Sequence, residues 1–220
     1  MISNIAYPNS LSGEEGFESI NNAFENMIEY SPKFVKIIKK INESDGPVFV
    51  YSSFLSHGGI KPFCAYLNYL GYQIFDKNGT GLKRYAVYSG DESLEKREKI
   101  KNTFNKKENE NGSLIKIIVG SPSTKEGISL LRVRQVHIME PHWNDAKIRQ
   151  IIGRAIRYKS HESLPLNERE VQVYRWISIF PLNVNYQTAD EYLEELSKKK
   201  DEMFLEFKKL IIEIMIYYKR

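Results

Sequence analysis

Apolar positions change their period several times along the chain, and each change marks an element. From Gly16 to about Asn42, the residues Phe17, Ile20, Phe24, Ile28, Phe34, Val35, Ile38 and Ile41 recur at the three- and four-residue steps of an amphipathic helix. Ser31-Pro32 interrupts the run. The pattern therefore predicts two helices, with Pro32 in the first turn of the second and Ser31 as its cap, because a first-turn residue has no helical use for an N–H. After Asp45-Gly46-Pro47 the period collapses into the continuous run Val48-Phe49-Val50-Tyr51, as expected of a strand buried on both faces. Helical spacing returns from Ile60 to Leu70, and Gly71 follows where a helix C-cap favours left-handed backbone.

The alternation continues. Arg84 to Tyr88 reads as a strand, Ser93 to Phe104 as a helix with many charges, and Leu114 to Val119 and Val136 to Met139 as two more buried strands. Asp145 to Tyr158 is helical by pattern, and Val171 to Ile179 alternates like a strand. Lys106 to Gly112 is polar and predicts a mobile surface loop, while Ser121 to Gly127 is a turn rich in hydroxyls. A long helix is expected from Thr188 to Tyr218, opened by a capping signal at Thr188-Ala189-Asp190-Glu191. Strands alternating with helices imply an α/β fold with a mostly parallel sheet and helices on both faces. The expected division is an N-terminal helical segment at 1–44, a lobe at 45–183 and a C-terminal helical extension at 184–220.

Composition narrows the partners. A chain of 220 residues that is 41% hydrophobic suits a single core. No run of about 18 uncharged apolar residues exists to span a bilayer, and Met1 to Ser12 lack the basic start and apolar centre of a signal peptide. No membrane partner is expected. Cys64 is the lone cysteine, which excludes a disulfide framework within one chain and fits a reducing, intracellular setting. The net charge of +4 suits a polyanion partner, though only as a weak indication.

The densest chemistry lies in Gln150-Ile151-Ile152-Gly153-Arg154-Ala155-Ile156-Arg157, of the form QxxGRxxR. On a continuous helix Gln150, Arg154 and Arg157 would share one face, and Gly153 would admit a close neighbour. Two guanidinium groups there would make a permanently charged array suited to a triphosphate. A solvated basic helix is the competing interpretation of the motif in isolation. His57, His137, His142 and His161 lack metal-ligand spacing, so no metal site is expected. Trp143 is expected to cover the end of the sheet rather than stack a base, and Lys198-Lys199-Lys200 to be a solvated helix face.

In context the sequence resembles the second RecA-like lobe of superfamily 2 helicases. Val48 to Phe54 is similar to motif IV, Tyr88-Ser89-Gly90 to motif IVa, Ser123 to Leu130 to motif V and Gln150 to Arg157 to motif VI, in the family's order and over about residues 45 to 180. The run Val136 to Asn144, motif VI, and Ser160-His161-Glu162-Ser163-Leu164-Pro165 further resemble the ATPases of large DNA viruses, with the poxvirus early-transcription-factor and termination ATPases as the nearest types. Such kinship implies a viral protein of the virion or host cytoplasm, acting in transcription or genome handling.

The resemblance implies roles residue by residue. Arg157 would be the arginine finger on the γ-phosphate, Arg154 its partner, and Gln150 would orient phosphate or water. Gly127, Ser129 and Glu126 would lie at the ATP side of motif V, with Ser129 where relatives often carry a carboxylate or amide. Ser52, Gly90 and Thr124 would meet the backbone of a DNA or RNA strand. Missing from the sequence are a GxxxxGK phosphate loop followed by Ser or Thr, and an Asp-Glu pair ending an apolar strand. ATP and Mg2+ would thus be held mainly by a first RecA-like lobe, and the chain alone is expected to hydrolyse no ATP. The alternative is a nucleic-acid or protein adaptor with the same fold and no turnover. Intact Gln150, Arg154 and Arg157 argue against it.

Overall fold

A computed structural model describes residues 22–56, 58–76, 81–125, 128–181 and 183–217. Ser31 caps as expected, its hydroxyl accepting from Phe34 N, and Pro32 opens the helix that follows. Helix α1 is Met27–Tyr30 and α2 is Pro32–Asn42. Then come β1 (Val48–Tyr51), α3 (Ile60–Tyr69), β2 (Gln73–Ile74), β3 (Arg84–Tyr88) and α4 (Leu94–Phe104). The second half holds β4 (Ile117–Gly120), β5 (Gln135–Ile138), α5 (Asp145–Ile152), β6 (Gln172–Arg175) and α6 (Ala189–Tyr217).

The strands form one sheet in the order β2-β3-β4-β1-β5-β6, and every pairing is parallel. Central β1 puts Val50 beside Val119 on one side and His137 on the other. Because successive side chains point to opposite faces, β1 serves two cores. Val48 and Val50 pack with Phe34, Ile37, Ile41 and Phe63 under α2 and α3. Phe49 and Tyr51 pack with Ile100, Phe104, Ile148 and Ile151 under α4 and α5. All four residues of β1 are fully buried, which is why the run lacks the alternation of a half-exposed strand.

Strand β2 has no counterpart in the sequence pattern, and three expected elements differ from the structure. The α5 helix ends at Ile152 rather than Tyr158, with Gly153 as its C-cap. Arg154 N and Ala155 N each donate to the third residue back, Ile151 O and Ile152 O, so the spiral tightens and the α-helical phase is lost before Arg157. Strand β6 stops at Arg175 rather than Ile179, because Ser178 donates its N–H to the Asp190 carboxylate and its carbonyl accepts from the Thr188 hydroxyl. The Lys106 to Gly112 segment is organised by a buried side chain. Asn109 donates to Phe104 O and Ile115 O and accepts from Leu114 N and Ile115 N.

The capping signal before α6 is realised. Glu191 accepts from Thr188 N at 2.8 Å and Glu191 N donates back to the Thr188 hydroxyl at 3.1 Å. Asp201 of α6 pairs with Arg149 of α5. Beyond it Met203, Phe204, Phe207, Leu210 and Ile214 are each more than half exposed.

Truncating Phe49, which is fully buried on the central strand, is expected to cost about 3 to 5 kcal/mol through lost burial and the cavity left behind. Urea unfolding of Phe49→Ala measures it, and a change under about 1 kcal/mol would contradict the two-faced core.

Candidate functional site

Parallel strands deliver their following loops to one end of the sheet, the usual place for ligands in open α/β sheets. After β1, Ser52 is fully buried. Its hydroxyl donates to Glu140 Oε1 at 2.7 Å and accepts from Phe54 N at 3.1 Å. Ser53 N donates to Glu140 Oε2 at 3.1 Å, and the turn leaves Phe54 half exposed. A β-carbon on Gly59 would stand 2.0 Å from Phe54 O, so the loop and the start of α3 touch through a glycine alone.

After β4, Thr124 is also fully buried and its hydroxyl donates to Ser121 O at 2.7 Å. The Ser52 and Thr124 hydroxyls, expected on a nucleic-acid backbone, are thus committed inside the protein. Gly90 is exposed and faces Ser123 across the ends of β3 and β4. Glu126 and Gly127 lie outside the described residues, as does His57.

The arginine motif is held by lacing between two irregular segments. Leu130 N donates to Arg154 O at 2.9 Å, Arg132 N to Ser160 O at 3.0 Å, and the Arg157 guanidinium to the Ser129 hydroxyl at 2.5 Å. His161 Nε2 adds a fourth rung at 2.7 Å from Val133 O. The buried residues Ile128, Leu130 and Val133 root one side of this lace in the core. Gln150 and Arg157 are exposed and Arg154 is half-buried. The single helical face expected for the three is replaced by a helix end plus a turn. Gly153 has as its nearest neighbours the carbonyls of Arg149 and Gln150, in its own preceding turn, rather than a second backbone.

Residues 32–159 match the family model of the helicase conserved C-terminal domain, which is more than half of the chain. The chain belongs to that family. This helicase C-terminal domain is 47% identical over 184 residues to a protein of Acanthamoeba polyphaga mimivirus named as an ATP-dependent RNA helicase, covering 82% of this chain and 32% of that protein. It is 28% identical over 225 residues to a termination factor NPH-I homolog of African swine fever virus, again covering 82% of the chain and 32% of the relative. Among solved structures, the C-terminal part of the Fun30 ATPase domain aligns with a TM-score of 0.49 at 16% identity, covering 83% of this chain and 61% of that one. The chain spans about a third of the length of these curated relatives. No helix among the described residues is long and apolar enough to cross a membrane.

Several contacts around the helicase C-terminal domain's site escaped the sequence patterns. Glu140 follows β5 and is buried, and burial pushes its carboxyl up to about 7 against the pull of its Ser52 and Ser53 hydrogen bonds and of Lys33. Lys33, on α2, donates to Met139 O at 2.9 Å and to Asp190 at 2.6 Å, tying both terminal helical regions to the end of β5. The carboxylate was hidden because its partners lie 88 residues away in sequence. His137, in β5, accepts from Trp176 Nε1 at 3.1 Å, and burial lowers it to about 3, so the ring is neutral. Trp143 is half exposed, with the Lys200 ammonium 4.1 Å from its ring centroid. One lysine of the expected solvated run therefore packs on the tryptophan.

Glu140 generates a pH dependence. With a folded pKa of about 7 against an ordinary 4.5, the folded chain binds more protons than the unfolded chain between those values. The stability this group contributes is full below the unfolded value and is lost as pH rises through about 7. Urea unfolding at pH 5 and pH 8 is expected to reveal a larger loss for the wild type than for Glu140→Gln. Equal losses would remove the assignment.

Proposed function

We propose that this helicase C-terminal domain is the second, RecA-like lobe of an ATP-dependent nucleic-acid helicase or translocase, with residues 45–183 as the lobe and 184–220 as a helical extension. The observation that carries the proposal is the exposed Arg157 guanidinium, bonded to Ser129 at the tip of a laced, core-rooted turn. A fixed cation at the end of a parallel sheet is suited to the outermost phosphate of a triphosphate presented by another lobe. Arg157 is assigned as the finger, Arg154 as its partner, and Gln150 as a group orienting phosphate or water.

Ser129 Oγ, expected at the ATP side of motif V, accepts from the Arg157 guanidinium, and its assignment becomes support of the finger. Gly127 and Glu126 remain assigned to the nucleotide side by their motif alone. The Ser52 and Thr124 hydroxyls and the amides beside them are already bonded within the protein, whereas exposed Gly90 is assigned to the nucleic-acid backbone. Such a contact positions a strand without reading its sequence. The relatives named as an RNA helicase and as a termination factor support a viral parent working on RNA or in transcription.

The remaining groups fit this division of labour. The sequence carries no phosphate loop and no strand-terminal Asp-Glu pair, so the β-phosphate and Mg2+ fall to the first lobe. Mg2+ would there offset phosphate charge, and this chain would contribute the guanidinium side of the site. Nucleic-acid-stimulated ATP hydrolysis by the full-length polypeptide is expected to fall about a thousandfold or more in Arg157→Ala. The 220-residue chain alone is expected to hydrolyse no ATP. Turnover indifferent to Arg157 would turn the assignment toward an adaptor.

A further inference from the structure

Two buried polar side chains lie immediately behind Arg157 and have no part in the scheme above. Ser160 and His161 are both under one-tenth exposed. Arg157 N lies 3.2 Å from Ser160 Oγ, Ser160 Oγ lies 2.8 Å from His161 Nδ1, and His161 Nε2 lies 2.7 Å from Val133 O. The direction of this chain is fixed by chemistry. A carbonyl can only accept, so Nε2 carries the proton and donates to Val133. Burial lowers the His161 pKa and keeps the ring neutral, so Nδ1 is bare and accepts. The Ser160 hydroxyl donates to it at 2.8 Å in preference to the Ala155 carbonyl at 3.5 Å, and the Ser160 oxygen accepts the Arg157 N–H. We propose that Ser160 and His161 are positioning residues that set the Arg157 guanidinium through this hydrogen-bond relay, a role that rests on the reading of Arg157 as the finger.

The surrounding backbone shows why a relay is needed at this point. Regular helix has ended at Ile152, so no helical ladder holds residue 157. Lys159 stands at φ 63, in the left-handed region, a conformation that non-glycine residues adopt only when neighbours enforce it. Ser160 N donating to Arg157 O at 3.0 Å and Arg132 N donating to Ser160 O at 3.0 Å close the turn from both sides. With its main chain fixed, the arginine reaches Ser129, and its guanidinium loses little further freedom on meeting a phosphate. With the opposite ring tautomer, bare Nε2 would face the Val133 carbonyl at 2.7 Å, two acceptors with no proton between them.

The test uses the full-length ATPase and, for folding, the 220-residue chain. Ser160→Ala and His161→Ala are expected to lower kcat about 10- to 100-fold, the scale of a reacting group misplaced by about 1 Å, with KM for ATP changed less than about twofold. Neither is expected to lower kcat further in an Arg157→Ala background, because both act through that residue. His161→Asn keeps an acceptor where Nδ1 stood and is expected to retain more activity than His161→Gln, which keeps only a donor where Nε2 stood. Nitrogen chemical shifts of the wild-type chain are expected to reveal protonated Nε2 and bare Nδ1 on His161. A full kcat loss persisting without Arg157, Gln outperforming Asn, or the opposite tautomer would each overturn the relay. If Arg157→Ala itself leaves turnover intact, the finger reading fails and the relay's catalytic role falls with it, while the tautomer still reports whether the hydrogen bonds exist.

Discussion

Double burial of the central strands is the constraint from which the rest of the architecture follows. β1 is paired on both edges and covered on both faces, so neither its side chains nor its amides can meet a ligand. Where pairing stops, at Tyr51, Tyr88, Gly120 and Ile138, released backbone groups must find partners, since buried amides left unpaired are costly. Ser52 N still reaches Gly120 O and Ser121 N still reaches Tyr88 O. One residue later the ladder is exhausted, and the Glu140 carboxylate takes over by receiving Ser53 N. The loops at this end are therefore built around side-chain acceptors, and a buried acid is part of the arrangement.

A second consequence concerns rigidity away from regular structure. Neither the approach to β5 nor the turn after α5 is a helix or strand, yet each supplies the other's missing hydrogen-bond partners. Functional groups held to a fraction of an ångström need such support behind them. Here it comes from fully buried Ile128, Leu130 and Val133 on one side and Ala155 on the other. The extensions join the same end of the sheet, because Lys33 and Asp190 meet beside the Met139 carbonyl. Helix α2 contributes four buried residues to the core.

Much of the fold was legible in the sequence because burial imposes periodicity. Val48 to Tyr51, the Ser31-Pro32 start of α2 and the Thr188 capping box all carry local signals that their backbones require. The errors arise where the deciding partner is distant in sequence. Apolar spacing in Asp145 to Tyr158 continues past Ile152 because Ala155 is still buried, so the pattern is blind to the tightening after Gly153. Polar Asn109 reads as loop, although its amide replaces backbone partners for four groups. Within the site, the Arg154 and Arg157 positions follow from their motif, whereas Glu140, Ser160 and His161 act through contacts that no local spacing encodes. The hydroxyls of Ser52 and Thr124 were legible as residue types and misleading as exposed groups.

Gly59 has a consequence for what can change around this end of the sheet. Its missing β-carbon would stand 2.0 and 2.5 Å from the Phe54 carbonyl oxygen and carbon, far inside van der Waals contact, and Ile60 N and Lys61 N donate to the carbonyls of Phe54 and Leu55. Loop and helix thus meet with no spare volume, and even alanine demands that one of them move. In evolutionary terms position 59 is closed to single steps. Any change that reshapes the loop after β1 must reshape the start of α3 with it.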